Sequence, residues 1–263
     1  MKSRFKSIAW ALLLLPILVS AQTWKAGSGD KQIAVLELFT SEGCGLCPAA
    51  DRWVHNLPNQ GITNEQLIVL GFHIDYLNDS KGWVDRFASP VFSDRQRQQA
   101  QINLAQTVYT PEFFVSGEVI HLWKKHVKAV VQAVNKFEAE AGIELLVSQQ
   151  GNELVIDSHI GVKGVENRLY SQLYLAITEN DIISKVNGGD NTGATFNHQN
   201  LVRKWLGPFS LDESGETDIS TLVQIEDDWN LDKTQVVALV QNLEDGFVLQ
   251  ALELPLKADC NQD

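Results

Sequence analysis

Two cysteines three positions apart, Cys44 and Cys47, are the residues of this chain best suited to chemistry. A Cys-x-x-Cys pair can carry out thiol–disulfide exchange: an exposed Cys44 attacks, and Cys47 resolves the mixed disulfide. The thiolate is the reactive form, and a helix N-terminus favours it through unpaired N–H groups and a positive dipole end. Cys44 stands where a helix should begin, with Cys47 one turn on and Pro48 at an early position where its missing N–H is harmless. Two plainer roles compete. The pair could be half of a zinc site, but no second Cys-x-x-Cys follows, and His121 and His126 lie on an amphipathic segment. It could also be an inert structural disulfide.

The surrounding residues supply the elements that would hold such a pair. Ile33, Ala34, Val35, Leu36, Leu38 and Phe39 form an apolar run expected of a strand buried on both faces, and residues 40–43 are turn chemistry. Residues 48–57 are expected to be helix, 58–65 loop, and 67–76 a second apolar strand. These make a βαβ unit with a right-handed crossover. Glu37, inside the first strand, is a candidate proton acceptor for the resolving thiol, the alternative being a solvated carboxylate at the sheet edge. Glu42 would oppose thiolate formation if it lay close to the sulfurs. His73 and Asp75 sit at the carboxyl end of the second strand, where α/β sheets gather ligand groups. Their spacing puts them on one side, to contact substrate, tune the thiols or relay a proton. The plainer role for His73 is a hydrogen-bonded core histidine. Trp83 and Tyr76 read as packing residues.

Residues 83–106 are expected to be helical, and the charges of 94–99 read as a solvated face. Residues 108–117 form a strand with Pro111 at its start, a position a sheet tolerates. Residues 121–140 place Leu122, Val127, Val130, Val131, Val134 and Phe137 at helical spacing. From 143 the pattern changes to short alternating strands at 143–149, 153–160, 169–178, 201–206, 218–225, 235–242 and 247–254, as in a β-sandwich. The last two are joined by a hairpin at Glu244-Asp245-Gly246. Among them lies a Gly/Asn-rich loop, 187–198, either a mobile connector or a binding surface. No Gly-Lys-Ser/Thr follows it, so it is not a phosphate loop.

The chain of 263 residues favours two domains, and its 44% hydrophobic and 21% charged content is ordinary for a globular protein. Lys2, Arg4 and Lys6, an apolar run over 8–19, and Val19-Ser20-Ala21 read as a signal peptide cleaved after Ala21. Its loss would move the formal net charge from −12 to −15, because residues 1–21 carry three positive charges and no negative ones. So acidic a surface repels nucleic acid and anionic lipid. Export implies a periplasmic or secreted protein with no membrane anchor after cleavage. The resulting division is signal 1–21, a polar leader 22–32, an α/β domain 33–141, a mostly antiparallel β-rich domain 142–258 and a tail 259–263. Cys260 in that tail is an unpaired thiol or a link to another molecule.

Glu37-Leu38-Phe39-Thr40-Ser41-Glu42-Gly43-Cys44, Cys47-Pro48 and Ala50-Asp51 resemble the first motif of a bacterial domain-of-unknown-function family of secreted thioredoxin-like proteins. Further matching runs are Phe72-His73-Ile74-Asp75-Tyr76 with Gly82-Trp83 and Asp85, then Arg95-Gln96-Arg97, Val108-Tyr109-Thr110-Pro111, and Asn200-Leu201-Val202-Arg203 within 189–203. Ala49 departs from the pattern, where a second proline is expected. The resemblance implies an α/β thioredoxin-like domain followed by a mostly antiparallel β-sandwich-like domain. It also implies a cis peptide before Pro111, beside the cysteines, where Tyr109 and Thr110 would meet an extended substrate.

The expectation is therefore an extracytoplasmic thiol–disulfide oxidoreductase acting on protein or small-molecule thiols and disulfides, with Cys44, Cys47, Pro111 and Glu37 at the centre. No cofactor and no resident metal are expected. Two alternatives stay open: a copper or zinc module using Cys44, Cys47 and His73, and a non-catalytic binding protein stapled by the disulfide.

Overall fold

The computed structural model describes residues 22–79 and 82–257. The signal-peptide expectation and Cys260 lie outside these residues. The first half contains β1 (Thr23–Gly27), β2 (Ala34–Thr40), α1 (Cys47–His55), β3 (Leu67–His73), α2 (Pro90–Ile102), β4 (Glu112–Val115), β5 (Glu118–Val119) and α3 (Trp123–Val134). The second contains β6 (Ala141–Gln150), β7 (Glu153–Val162), α4 (Val165–Tyr170), β8 (Ser171–Glu179), β9 (Ile182–Lys185) and β10 (Thr195–His198). It ends with β11 (Leu201–Ser210), β12 (Glu216–Gln224), β13 (Thr234–Asn242) and β14 (Val248–Pro255). The architecture is mixed α/β, β-rich, with mostly antiparallel sheets.

Strands from both halves form one eight-stranded sheet in the order β14-β13-β8-β11-β3-β2-β4-β5. The join is a short parallel bridge, Leu201 of β11 against Gly71 of β3. A side chain at Gly71 would crowd the Asn200 carbonyl, 3.3 Å from where its Cβ would stand. The sheet therefore continues across the 141/142 boundary read from composition. β2 and β3 run parallel, connected through α1, and are apolar on both faces because both faces are covered. Ala34, Leu36 and Leu38 pack toward α1 and α3. Val35 and Phe39, one residue out of phase, pack on the opposite face with Phe72, Phe92 of α2, Tyr174 and Val237. A four-stranded sheet, β1-β6-β7-β12, lies over β8, β13 and β14 with Ile143, Leu145, Leu154, Leu173, Leu175 and Val236 between them.

Several expectations change. The polar leader contributes a strand: β1 pairs antiparallel with β6, and Trp24 is buried with its Nε1 donating to the Lys257 carbonyl at 2.9 Å. Only Trp24 and Ala26 face the core, too little periodicity to announce a strand. The helix expected over 83–106 is restricted to Pro90–Ile102. Its supposedly solvated face buries Arg95, Gln96 and Gln99, which hydrogen-bond inward. Residues 165–170, partly assigned to a strand, form the short helix α4. Among the described residues no helix is long and apolar enough to cross a membrane.

Candidate functional site

Cys44 and Cys47 form a disulfide at the start of α1. The polar turn after β2 closes with Cys44 N–H donating to the Ser41 carbonyl, and Cys47 N–H to that of Cys44. Both cysteines are buried, Cys47 at 0% exposure and Cys44 at 8%, so the expected exposed Cys44 is instead tucked under the turn and merely keeps the greater residual access of the two. Cys44 Sγ lies 3.7 Å from the Thr110 carbonyl oxygen, and the Thr110–Pro111 peptide is cis. Tyr109 is exposed, with its hydroxyl near His121 Nδ1 at 3.3 Å and its carbonyl accepting from Gln96. The structure thus brings Cys44, Cys47, Thr110 and Pro111 together.

Glu37 does not join them. Alternation along β2 turns it to the face opposite α1, where Arg95 Nε and Nη2 donate to its two carboxylate oxygens at 2.8 Å each. Gln99 adds a third bond at 2.8 Å. With its lone pairs taken by a buried guanidinium, and the sheet between it and Cys47, Glu37 is a core ion pair rather than a proton acceptor. Asp75 also leaves the site. β3 ends at His73, and the chain turns Asp75 onto Ser93 at the start of α2.

Asp51 is the acid that helix spacing relates to Cys47. It follows Cys47 by one helical turn, so the two lie on the same side of α1, with Asp51 half-buried. Thr40 Oγ1 donates to it at 3.2 Å. Burial pushes its carboxyl from 3.8 up to about 6, against the pull of the nearby His73. The signal was in the sequence as an acid four residues past the second cysteine, but helix spacing alone does not distinguish a buried acid from a solvated one.

His73 is fully buried, and its Nδ1 is 2.7 Å from Asp85 Oδ2. Burial works against its charge, but the carboxylates of Asp85, Asp51 and Glu42 together outweigh burial and hold the imidazole above its usual value. Burial would raise the Asp85 carboxyl, but His73 and the N–H groups of Glu42 and Phe87 bring it below the usual range. His198 packs edge-on to His73, ring centres 4.8 Å apart, and its Nε2 is 2.9 Å from Glu42 Oε1. Burial depresses its pKa, the opposite direction from that of His73. Trp83 Nε1 donates to the other Glu42 oxygen at 3.1 Å. Glu42, a possible antagonist of the thiolate in sequence, is thus held by two donors away from solvent. Trp83, expected only to pack, is one of them.

The loop 187–198 folds directly onto this turn. Gly188 lies so close to Gly82 that a Cβ would stand 2.4 Å from its carbonyl oxygen, and Gly189, at φ +69°, packs beside Gly43. Below α1 a cavity of about 280 Å³ is lined by Thr40, Asp51, His73, Phe196 and His198. Among the described residues no group of three or more His, Cys, Asp or Glu side chains is arranged to hold a metal ion.

Fold and site together define a β-rich α/β protein with a disulfide at a helix N-terminus and a half-buried acid one turn behind it. The chain belongs to the family described as "Protein of unknown function (DUF1223)", whose model matches residues 35–241. Two solved structures share the fold. A structural-genomics protein of Agrobacterium tumefaciens has a TM-score of 0.60 at 20% identity, over 90% of this chain and 99% of that one. HBP35 of Porphyromonas gingivalis has a TM-score of 0.67 at 17% identity, over 90% and 80%. No curated protein matches the chain.

Proposed function

We propose that this protein is an extracytoplasmic thiol–disulfide oxidoreductase whose redox centre is the Cys44–Cys47 pair on a thioredoxin-like unit. The observation that carries the reading is the asymmetry of the pair: Cys44 reachable beside the Thr110 carbonyl, Cys47 sealed at the start of α1 with the raised carboxyl of Asp51 one turn behind it. A substrate thiolate attacks Cys44 Sγ, the S–S bond breaks, and Cys47 departs as a thiolate that is then protonated. A second substrate thiolate attacks the substrate sulfur of the mixed disulfide and expels Cys44. Two electrons pass from two substrate thiols to the pair, and the substrate leaves as a disulfide. The opposite direction runs the same steps backwards. Asp51, with a carboxyl pushed up to about 6, is suited to exchanging the Cys47 proton.

The direct test is the reduction potential of the pair, measured in glutathione buffers with thiol trapping. A value between roughly −120 and −270 mV, the span of known exchange catalysts, supports the reading. A value below about −300 mV marks a structural staple and sinks it.

A further inference from the structure

Asn191 lies in the short turn Gly189–Asn191 between β9 and β10. Its carboxamide nitrogen donates to two backbone carbonyls of the cysteine turn, Glu42 O at 2.8 Å and Cys44 O at 2.9 Å. These carbonyls bracket Gly43 on the approach to the disulfide. The loop carrying Asn191 is itself fixed. Gly188 is flush against Gly82, Gly193 N–H donates to the Val186 carbonyl at 2.8 Å, and His198 at its far end bonds to Glu42. Between the cysteines, a Cβ at Gly45 would stand 3.1 Å from Asp190 Oδ2, so the next loop residue packs there as well. A segment 147 residues away therefore grips the backbone on either side of Cys44.

We propose that Asn191 is a positioning residue for the cysteine pair, holding the turn so that the Cys47 thiolate meets the Cys44 sulfur at high effective concentration. The proposal rests on the oxidoreductase reading for its purpose. With glutathione, one thiolate attacks Cys44 and releases Cys47. The mixed disulfide then has two fates. A second glutathione thiolate attacks the glutathione sulfur, giving oxidised glutathione and the Cys44 thiolate, or Cys47 attacks Cys44, expels glutathione and restores the protein disulfide. The second fate is intramolecular, so its advantage depends on how narrowly the turn is held. Without the two Asn191 bonds the open turn gains conformers that the closed disulfide does not, and return by Cys47 slows.

The experiment equilibrates the full chain, wild type and N191A, in graded glutathione buffers, followed by acid quench, thiol trapping and mass spectrometry. In N191A the equilibrium should move about threefold to tenfold toward the dithiol, tenfold being about 30 mV for a two-electron couple. Mixed disulfide on Cys44 should rise alongside. T192A removes only a bond within the loop, Thr192 Oγ1 to the Gly189 carbonyl, and should leave the equilibrium unchanged. If N191A does not fold, N191S, with a shorter single donor, carries the same test. An unaltered equilibrium in the folded Asn191 variant, or an equal shift in T192A, overturns the proposal. A wild-type pair as resistant to glutathione as a structural disulfide, combined with a shifted N191A, sinks the oxidoreductase reading and leaves the clamp standing.

Discussion

His198 Nε2 lies 2.9 Å from Glu42 Oε1, joining the end of β10 to the turn before Cys44 across 156 residues. Both side chains are buried, and the carboxylate also accepts from Trp83. Removing one partner leaves a polar or charged group without its bond in a dry setting. His198→Ala should therefore lower stability by about 2 kcal/mol, the cost of leaving a buried carboxylate one hydrogen bond short. Glu42→Gln in the same chain should recover part of it, since a neutral amide costs less to leave half-satisfied. A urea double-mutant cycle with no coupling between positions 42 and 198 would show the contact to be energetically idle.

Asp51 makes stability fall as pH rises. Its folded-state carboxyl titrates at about 6 against 3.8 in the unfolded chain, so between these values the folded state holds more protons. Its contribution is most favourable below pH 3.8, declines across the window from 3.8 to 6, and stays unfavourable above it. The penalty at neutral pH is roughly 2–3 kcal/mol. Asp51→Asn should remove most of it, less the change at Thr40, and flatten the pH profile of the melting temperature across that window. It should also slow resolution of a mixed disulfide on Cys44 by about tenfold or more, as loss of a general acid–base group does. An unchanged rate would remove Asp51 from the chemistry.

Glu37 and Arg95 supply the opposite pattern. Glu37→Gln should cost about 3 kcal/mol because it strands a buried guanidinium, yet leave the reduction potential where it was. The sheet separates this pair from Cys47, so a potential that moved with Glu37→Gln would show the two faces to be coupled.

The His73–Asp85 pair defines a pH range. His73, held above its ordinary 6.5, stabilises below that value and ceases to do so as pH rises through its folded-state pKa. Asp85, held below 3.8, stabilises above that value and ceases to do so as pH falls through its own. Both contributions coincide between 3.8 and 6.5. Asp85→Asn should lower stability most in this range, by about 3 kcal/mol, read by chemical denaturation at several pH values. An equal loss at every pH would show that Asp85 acts only through its bonds to the Glu42 and Phe87 N–H groups.

The disulfide closes a very short loop, so its effect on the unfolded chain is small. Reduction should lower stability by about 2 kcal/mol on the chain-entropy account. A much larger loss on reduction, by urea titration with and without dithiothreitol, would favour a staple over a redox pair.

The sequence by itself determined the local features. Cys44-x-x-Cys47 with Pro48 announced a turn running into a helix, although the helix starts at Cys47 and leaves Cys44 in the turn before it, and the apolar runs of β2 and β3 announced strands covered on both faces. Alternation with Gly-ended turns marked most strands of the second half, because period and turn chemistry are short-range properties. Tertiary structure decided whatever depends on which face meets which neighbour. Glu37 and Asp51 are both acids close in sequence to the cysteines. One residue of strand phase put Glu37 behind the sheet on Arg95, and the turn of α1 put Asp51 against Thr40 and near His73. The charges of α2 looked solvated because a hydrophobicity pattern does not report that a buried carboxylate awaits an arginine. The loop 187–198 read as either a mobile connector or a binding surface, because its partners, Glu42, Gly43 and Cys44, are some 150 residues earlier. Only the closing of one sheet through Leu201 and Gly71 brings them into contact.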